Sequence, residues 1–236
     1  MRYPKHSLAE KLSLVLFLAL QIILFPKIQE STADVWSYTA FFSIALIALF
    51  ALLACRCKGA GHLIRLGLLL TLVADYFIVI EYDSYLKGMV VFLFVQITYF
   101  LYLLFREERA RVRVANFLTR LLLSGLLLLV ALTVLGENAD ALSLVSVIYY
   151  ANLLTNILFA FTCGRGERML AIGLTLFAMC DLCVGIESLA YFYLDTDISA
   201  FFYNDSLNLS WLFYQPSQVL IALSLYFNKG RTKDRN

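Results

Sequence analysis

Apolar stretches of roughly 18–22 residues recur along this chain, each nearly free of charge, and that recurrence constrains the fold more than any other feature. A helix rises about 1.5 Å per residue, so a stretch of this length crosses the roughly 30 Å hydrocarbon core of a bilayer. Buried helices of soluble domains rarely repeat at such length with so few charges. Eight stretches stand out: Leu8–Phe25, Val35–Ala54, Leu63–Ile80, Gly88–Phe105, Phe117–Leu135, Ala141–Thr162, Met169–Leu189 and Leu209–Phe227. The expectation is an all-α polytopic membrane bundle of eight transmembrane helices, forming a single domain over residues 1–236. Only 15% of the residues are charged, against about 25% in a soluble domain, and no hydrophilic segment is long enough to form a second domain. The first stretch follows Arg2, Lys5 and Lys11, as a signal peptide would. It is longer than a usual apolar core, and Pro26 and Lys27 follow it in place of a small-residue cleavage motif, so it reads as a helix.

The positive charges orient the bundle. Seventeen of the 19 Lys and Arg residues fall at the start, in the second, fourth and sixth connections or at their borders, and in the tail; only Lys27 and Lys87 fall on the other side. The fourth connection and its border hold Arg106, Arg109, Arg111, Arg113 and Arg120. The positive-inside rule then places both termini in the cytoplasm, with the cell membrane as the expected location. The opposite connections carry acidic residues, among them Glu81, Asp83, Asp140, Asp195 and Asp197, which read as solvated loop caps. The basic clusters are short and separated by spans, which argues against a nucleic-acid partner. Arg106–Arg113 suits anionic lipid headgroups, although orientation alone would explain it. The long external connection, with Phe201, Phe202 and Tyr203, would serve either as a flap over a lipid-entry site or as an interfacial aromatic belt. None of the five cysteines lies in an outer connection, so no structural disulfide is expected.

The chain also repeats itself. Gly67-Leu-Leu-Leu-Thr-Leu-Val-Ala-Asp75 is followed by Glu81, and Gly173-Leu-Thr-Leu-Phe-Ala-Met-Cys-Asp181 by Glu187; all three matched pairs are 106 residues apart. In the spans that follow, Gln96 and Gln218 each begin an apolar run ending at a basic boundary. Spans three and seven run in the same direction, so the expectation is two parallel four-helix halves related about the membrane normal.

The matched aspartates are the chemical candidates. Asp75 and Asp181 each lie about twelve residues into their spans, roughly 18 Å from the cytoplasmic end. A charged side chain at that depth costs at least about 2.5–3.5 kcal/mol on insertion scales, so something must offset it. Two carboxyls meeting in a poorly solvated pocket share a proton, which leaves one as acid and the other as base. The alternative is that each aspartate merely bonds polar side chains and holds helices together. Gln96, Tyr99, Tyr149, Asn152, Asn156, Tyr214 and Gln218 are the polar candidates for a pocket, with Tyr149, Asn152 and Asn156 sharing one helix face. Six residues turn a helix by about 240° beyond full turns, so Glu187 does not share the face of Asp181 and is expected at the pocket mouth or as a loop cap. His6 and His62, the only histidines, lie at the cytoplasmic rim, so a Ser-His-Asp triad at bilayer depth lacks its base.

These segments carry a resemblance. Gly67 to Asp75, with Gly88, Phe92, Gln96 and Tyr99, resembles the first signature of the YhhN-like membrane family. Gly173 to Asp181 and Trp211-Leu-Phe-Tyr-Gln-Pro-Ser-Gln-Val-Leu-Ile-Ala-Leu-Ser224 resemble its second half. Ala74, Cys180 and Gln96 stand where many members have Gly, Ser and His. The family includes lysoplasmalogenases. The resemblance implies an eight-helix bundle that hydrolyses the vinyl ether bond of a lysoplasmalogen, with Asp75 and Asp181 as the catalytic pair. The products would be a fatty aldehyde and a glycerophospho-base, and neither metal nor nucleotide would be needed. Two other functions fit the midplane carboxylates and the repeat: a proton-coupled lipid or small-molecule transporter, and a non-catalytic lipid-binding membrane protein.

Overall fold

The hydropathy pattern becomes helix wherever the computed structural model describes the chain, namely residues 7–30, 33–54, 59–81, 84–193 and 208–227. The long helices are α1 (Leu8–Glu30), α2 (Ala33–Leu53), α3 (Gly61–Asp75), α4 (Tyr85–Arg106), α5 (Ala110–Leu135), α6 (Ala141–Thr162), α7 (Arg168–Tyr193) and α8 (Leu209–Phe227). A π-helical turn, Tyr76–Ile80, extends α3. Seven of these segments are long and apolar enough to cross a membrane, so the chain is an integral membrane protein. The eighth, α8, carries Tyr214, Gln215, Pro216, Ser217 and Gln218 in its middle. Its polarity follows from its place. It packs against α7, α2, α3 and α1, and no residue of it before Phe227 is exposed. A helix surrounded by protein need not match lipid.

The helix ends follow local chemistry. Ser7 and Glu10 cap α1 reciprocally: the Ser7 N–H donates to the Glu10 carboxylate at 2.9 Å, and the Glu10 N–H to the Ser7 hydroxyl at 3.3 Å. α1 continues past Pro26, five residues beyond the boundary that the apolar run suggested. The proline removes one backbone donor close to the helix end, where the loss is small. Beyond it, Gln29 is tied to the backbone of Asn208 by bonds of 2.8 and 3.3 Å, which holds the last turn of α1 to the start of α8. α5 starts at Ala110, seven residues ahead of the apolar stretch, so charged residues occupy its first turns.

Asp140 caps α6 by accepting the Ser143 N–H at 2.8 Å, and the Ser143 side chain together with this backbone bond holds its carboxyl below the usual carboxylate range. Asp140→Ala is expected to cost about 1 kcal/mol, read as a lower thermal midpoint at neutral pH. The folded-state value lies below the unfolded one. The stabilisation is therefore present above the ordinary aspartate range and is lost as pH falls through the folded value. The gap between wild type and variant should accordingly close in acid.

Buried polar ties join the helices. Gln21 of α1 donates to the Ser43 carbonyl at 3.1 Å and accepts from the Ser43 hydroxyl at 2.7 Å. The Gln215 amide of α8 donates to Gln21 Oε1 at 2.7 Å, which links three helices. At the arginine-rich end, Glu167 accepts from the Tyr102 hydroxyl at 2.7 Å and from Arg106 at 3.1 Å. Arg109 forks onto Glu107 with two bonds of 2.8 Å. Cys163, Cys180 and Cys183 are free thiols. Cys55, Cys57 and the aromatic segment Phe201, Phe202 and Tyr203 lie outside the described residues.

Two matched glycines set close helix crossings. A Cβ on Gly67 would meet the Tyr99 ring at 2.4 Å, and one on Gly173 would meet Ile221 at 2.9 Å and the Ser217 carbonyl oxygen at 3.0 Å. Tyr99 lies three residues after Gln96, and Ile221 three residues after Gln218. The matched glycines therefore touch matched positions, α3 against α4 and α7 against α8.

Candidate active site

Asp75 closes the α-helical part of α3, and the π turn begins at the next residue, where the Glu81 N–H reaches back five residues to the Tyr76 carbonyl at 3.0 Å. Single π turns of this kind are frequent at functional sites. Nothing in the apolar sequence around Tyr76 announces it. Asp181 lies in the middle of α7. Counted from the arginine-rich ends of their helices, Asp75 and Asp181, and likewise Tyr149 of α6 and Tyr214 of α8, stand thirteen or fourteen residues in. At 1.5 Å per residue this forms one layer about 20 Å from that end.

Within the layer each carboxylate has its own tyrosine. The Tyr214 hydroxyl donates to Asp75 Oδ1 at 2.7 Å and Oδ2 at 2.6 Å. The Tyr149 hydroxyl donates to Asp181 Oδ2 at 2.6 Å. Asp75 is 3% exposed, whereas Asp181 is half-buried and its Oδ1 is left open. Phe177 stands between the two pairs, with ring centroids 5.4 Å from Tyr214 and 6.3 Å from Tyr149. Phe92 packs on both Phe177 and Tyr149, and Trp211 and Trp36 continue the aromatic wall beyond Tyr214. Tyr214 joins the second half of the chain to the aspartate of the first.

The other predicted pocket residues form a second layer, nearer the arginine-rich end. Gln96 and Gln218 are fully buried, and Gln96 Nε2, Gln218 Oε1 and the Tyr99 hydroxyl have no hydrogen-bond partner. Thr71 Oγ1, one turn below Asp75, is likewise unbonded and lies beside Tyr99. Buried polar atoms of this kind are normally satisfied by ordered water or by ligand groups. Asn152 and Asn156 do not reach the aspartates. Asn156 donates to the Gln96 backbone and side-chain oxygens at 2.9 and 3.0 Å, and both asparagine oxygens face Arg120. Glu187 is half-buried near the far end of α7. Glu81, its match, is bridged by Lys87 at 3.3 Å.

Arg120 corrects the sequence reading. Placed there at the border of the fourth connection, it is instead a buried residue ten positions into α5, 8% exposed. Charge counting cannot separate a flanking arginine from one that enters the span, and the signal available was Asn152 and Asn156 on the facing helix. Among the described residues no three His, Cys, Asp or Glu side chains converge as metal ligands.

The family model described as YhhN family matches residues 35–225, which contain both aspartates, both tyrosines and both glutamines. No curated protein and no solved structure matches the chain.

Proposed function

The chain belongs to the YhhN family, and we propose that it is a lysoplasmalogenase-like hydrolase that cleaves the vinyl ether bond of a lysoplasmalogen within the membrane. The observation that carries this reading is the pair of carboxyls at one depth, each held by a tyrosine hydroxyl, with the Phe177 ring packed against both tyrosines. Unbonded polar atoms directly beneath them support a bound ligand rather than a sealed core. We place both termini in the cytoplasm of the cell membrane and take the two halves to be parallel, in line with the basic residues and the matched glycine contacts.

The chemistry resembles glycoside hydrolysis by two carboxyl groups. Asp75, in its acid form, adds a proton to the vinyl carbon one removed from the ether oxygen. The double-bond electrons form the new C–H bond, and the cation left is spread over the adjacent carbon and the oxygen. Asp181, whose Oδ1 is open, stabilises that cation and takes a proton from the water that attacks it. The resulting hemiacetal collapses as Asp181 returns the proton to the departing glycerol oxygen and the hemiacetal hydroxyl proton restores Asp75. The products are a fatty aldehyde and a glycerophospho-base.

Purified protein should release aldehyde from a 1-alkenyl lysophospholipid and leave its saturated 1-alkyl analogue intact, since only a vinyl ether can be protonated on carbon. Uptake into proteoliposomes without any aldehyde would replace this reading with the transporter. Tyr149→Phe and Tyr214→Phe should each slow turnover by roughly 10- to 100-fold with little change in KM, because a hydrogen bond to a charged group contributes about 1.5–3 kcal/mol. A change confined to KM would remove the tyrosines from the reacting layer.

A further inference from the structure

Arg120 is a buried cation without a counter-charge. Its guanidinium donates to the side-chain oxygens of Asn152, Asn156 and Asn116, the last two at 2.8 and 3.3 Å, and it also lies against the Asn152 carbonyl at 3.4 Å. The Phe100 ring covers it at 4.2 Å. Among the described residues no carboxylate pairs with it, and its Nε is unbonded. Neutral amide oxygens solvate a guanidinium but leave its charge uncompensated, and a lone buried charge is costly unless a partner arrives.

A groove opens on the same face of α5, toward its arginine-rich end. α5 packs along α6 and leaves a groove of about 390 Å³ against the end of α4, lined by Leu104, Ala110, Arg113, Val114, Phe117 and Leu118. Arg113, Phe117 and Arg120 follow one another on a single face of α5, while Leu104 and Phe100 do so on α4. Arg113 lines the groove and is exposed, and Arg120 lies seven residues further along the same face of α5, about 10 Å from it. On α6, Asn152 is one turn from Tyr149, which holds Asp181. The glycerol carbons between an ether oxygen and a phosphate span about the same length, near 5 Å.

We propose that the α4–α5 groove admits a single-chain phospholipid from the bilayer and that Arg120 is the subsite for its phosphate, with Arg113 at the entrance. This rests on the hydrolase reading for the identity of the lipid, but binding can be read without hydrolysis. A lysolipid phosphate is a permanent anion and would supply the missing counter-charge by a guanidinium–phosphate bond, of which Nε is the unused donor. The aliphatic chain would then extend past Tyr149 toward the aspartates.

The test measures binding of a saturated 1-alkyl lysophospholipid, which cannot be hydrolysed by this route, and of the neutral 1-alkylglycerol, to the full-length protein in uncharged detergent. Wild type should prefer the phosphate-bearing ligand by about tenfold or more. Arg120→Gln should abolish the preference while leaving the neutral ligand bound as before, and Arg120→Lys should keep part of it. Should Arg120→Gln fail to fold, the wild-type preference must still shrink with rising ionic strength and survive in Asp75→Asn. Equal binding of the two ligands by wild type would overturn the proposal, as would an Arg120→Gln preference like that of wild type. Full displacement of the lysophospholipid by millimolar inorganic phosphate would reassign the site to a free anion. An Arg120-dependent preference without aldehyde release from the vinyl ether substrate would leave this subsite standing and remove the hydrolase reading instead.

Discussion

Asp75→Asn and Asp181→Asn should each lower aldehyde release by about 10²–10⁴-fold, the usual contribution of a positioned acid or base, without unfolding the bundle. Asparagine keeps the shape of the side chain, and its amide oxygen still accepts from Tyr214 or Tyr149. What it loses is the ability to give or take a proton. A neutral amide is also cheaper than a carboxylate at this depth, so the thermal midpoint should hold or rise. That combination separates a catalytic role from helix glue, because a purely structural aspartate would lose stability along with activity. The double variant should be little slower than either single one, since two groups acting in one step are not additive. A variant retaining wild-type turnover would dismiss its aspartate from the reaction.

The largest effect on folding is expected at the two matched glycines. A Cβ on Gly67 would press 2.4 Å from the ring of Tyr99, which is fully buried and cannot swing aside. A Cβ on Gly173 would lie 3.0 Å from the Ser217 backbone oxygen, which is fixed in α8. Gly67→Ala and Gly173→Ala should each cost about 1–3 kcal/mol through overpacking, and leucine at either position should prevent assembly. Gly125, in the lipid-facing stretch of α5, has nothing within 4 Å of such an atom. Gly125→Ala should be neutral or stabilising by about 0.5–1 kcal/mol, because alanine is the better helix former. Thermal unfolding in detergent, followed by circular dichroism, reads all of these. Equal midpoints for Gly67→Ala and Gly125→Ala would contradict the close-crossing account.

The helices were legible because lipid enforces its own signal: a segment facing hydrocarbon must be apolar along its whole length. The same rule explains where that signal weakened. α8 lies inside the protein, so its Tyr214-to-Gln218 run is tolerated and its apolarity falls below that of the other seven. Asp75 and Asp181 were visible because a carboxylate at that depth is exceptional in any sequence. Their tyrosines were nameable only as polar residues on other helices, because the pairing of Tyr214 with Asp75 spans 139 positions and depends on how α8 crosses α3. The π turn after Asp75 left no mark in composition. Arg120 was misplaced because its partners are neutral amides on another helix, and a charge count registers only charges.

The central claim is that water attacks the vinyl carbon after that bond has been protonated, and labelled water tests it most directly. Purified protein turning over a lysoplasmalogen in water enriched in oxygen-18 should yield aldehyde together with a glycerophospho-base that carries no label in its freed hydroxyl, because the glycerol oxygen leaves with the glycerol. Oxygen-18 in that hydroxyl would place the attack on the glycerol carbon and contradict the mechanism, and a folded protein that releases no aldehyde would contradict the function itself.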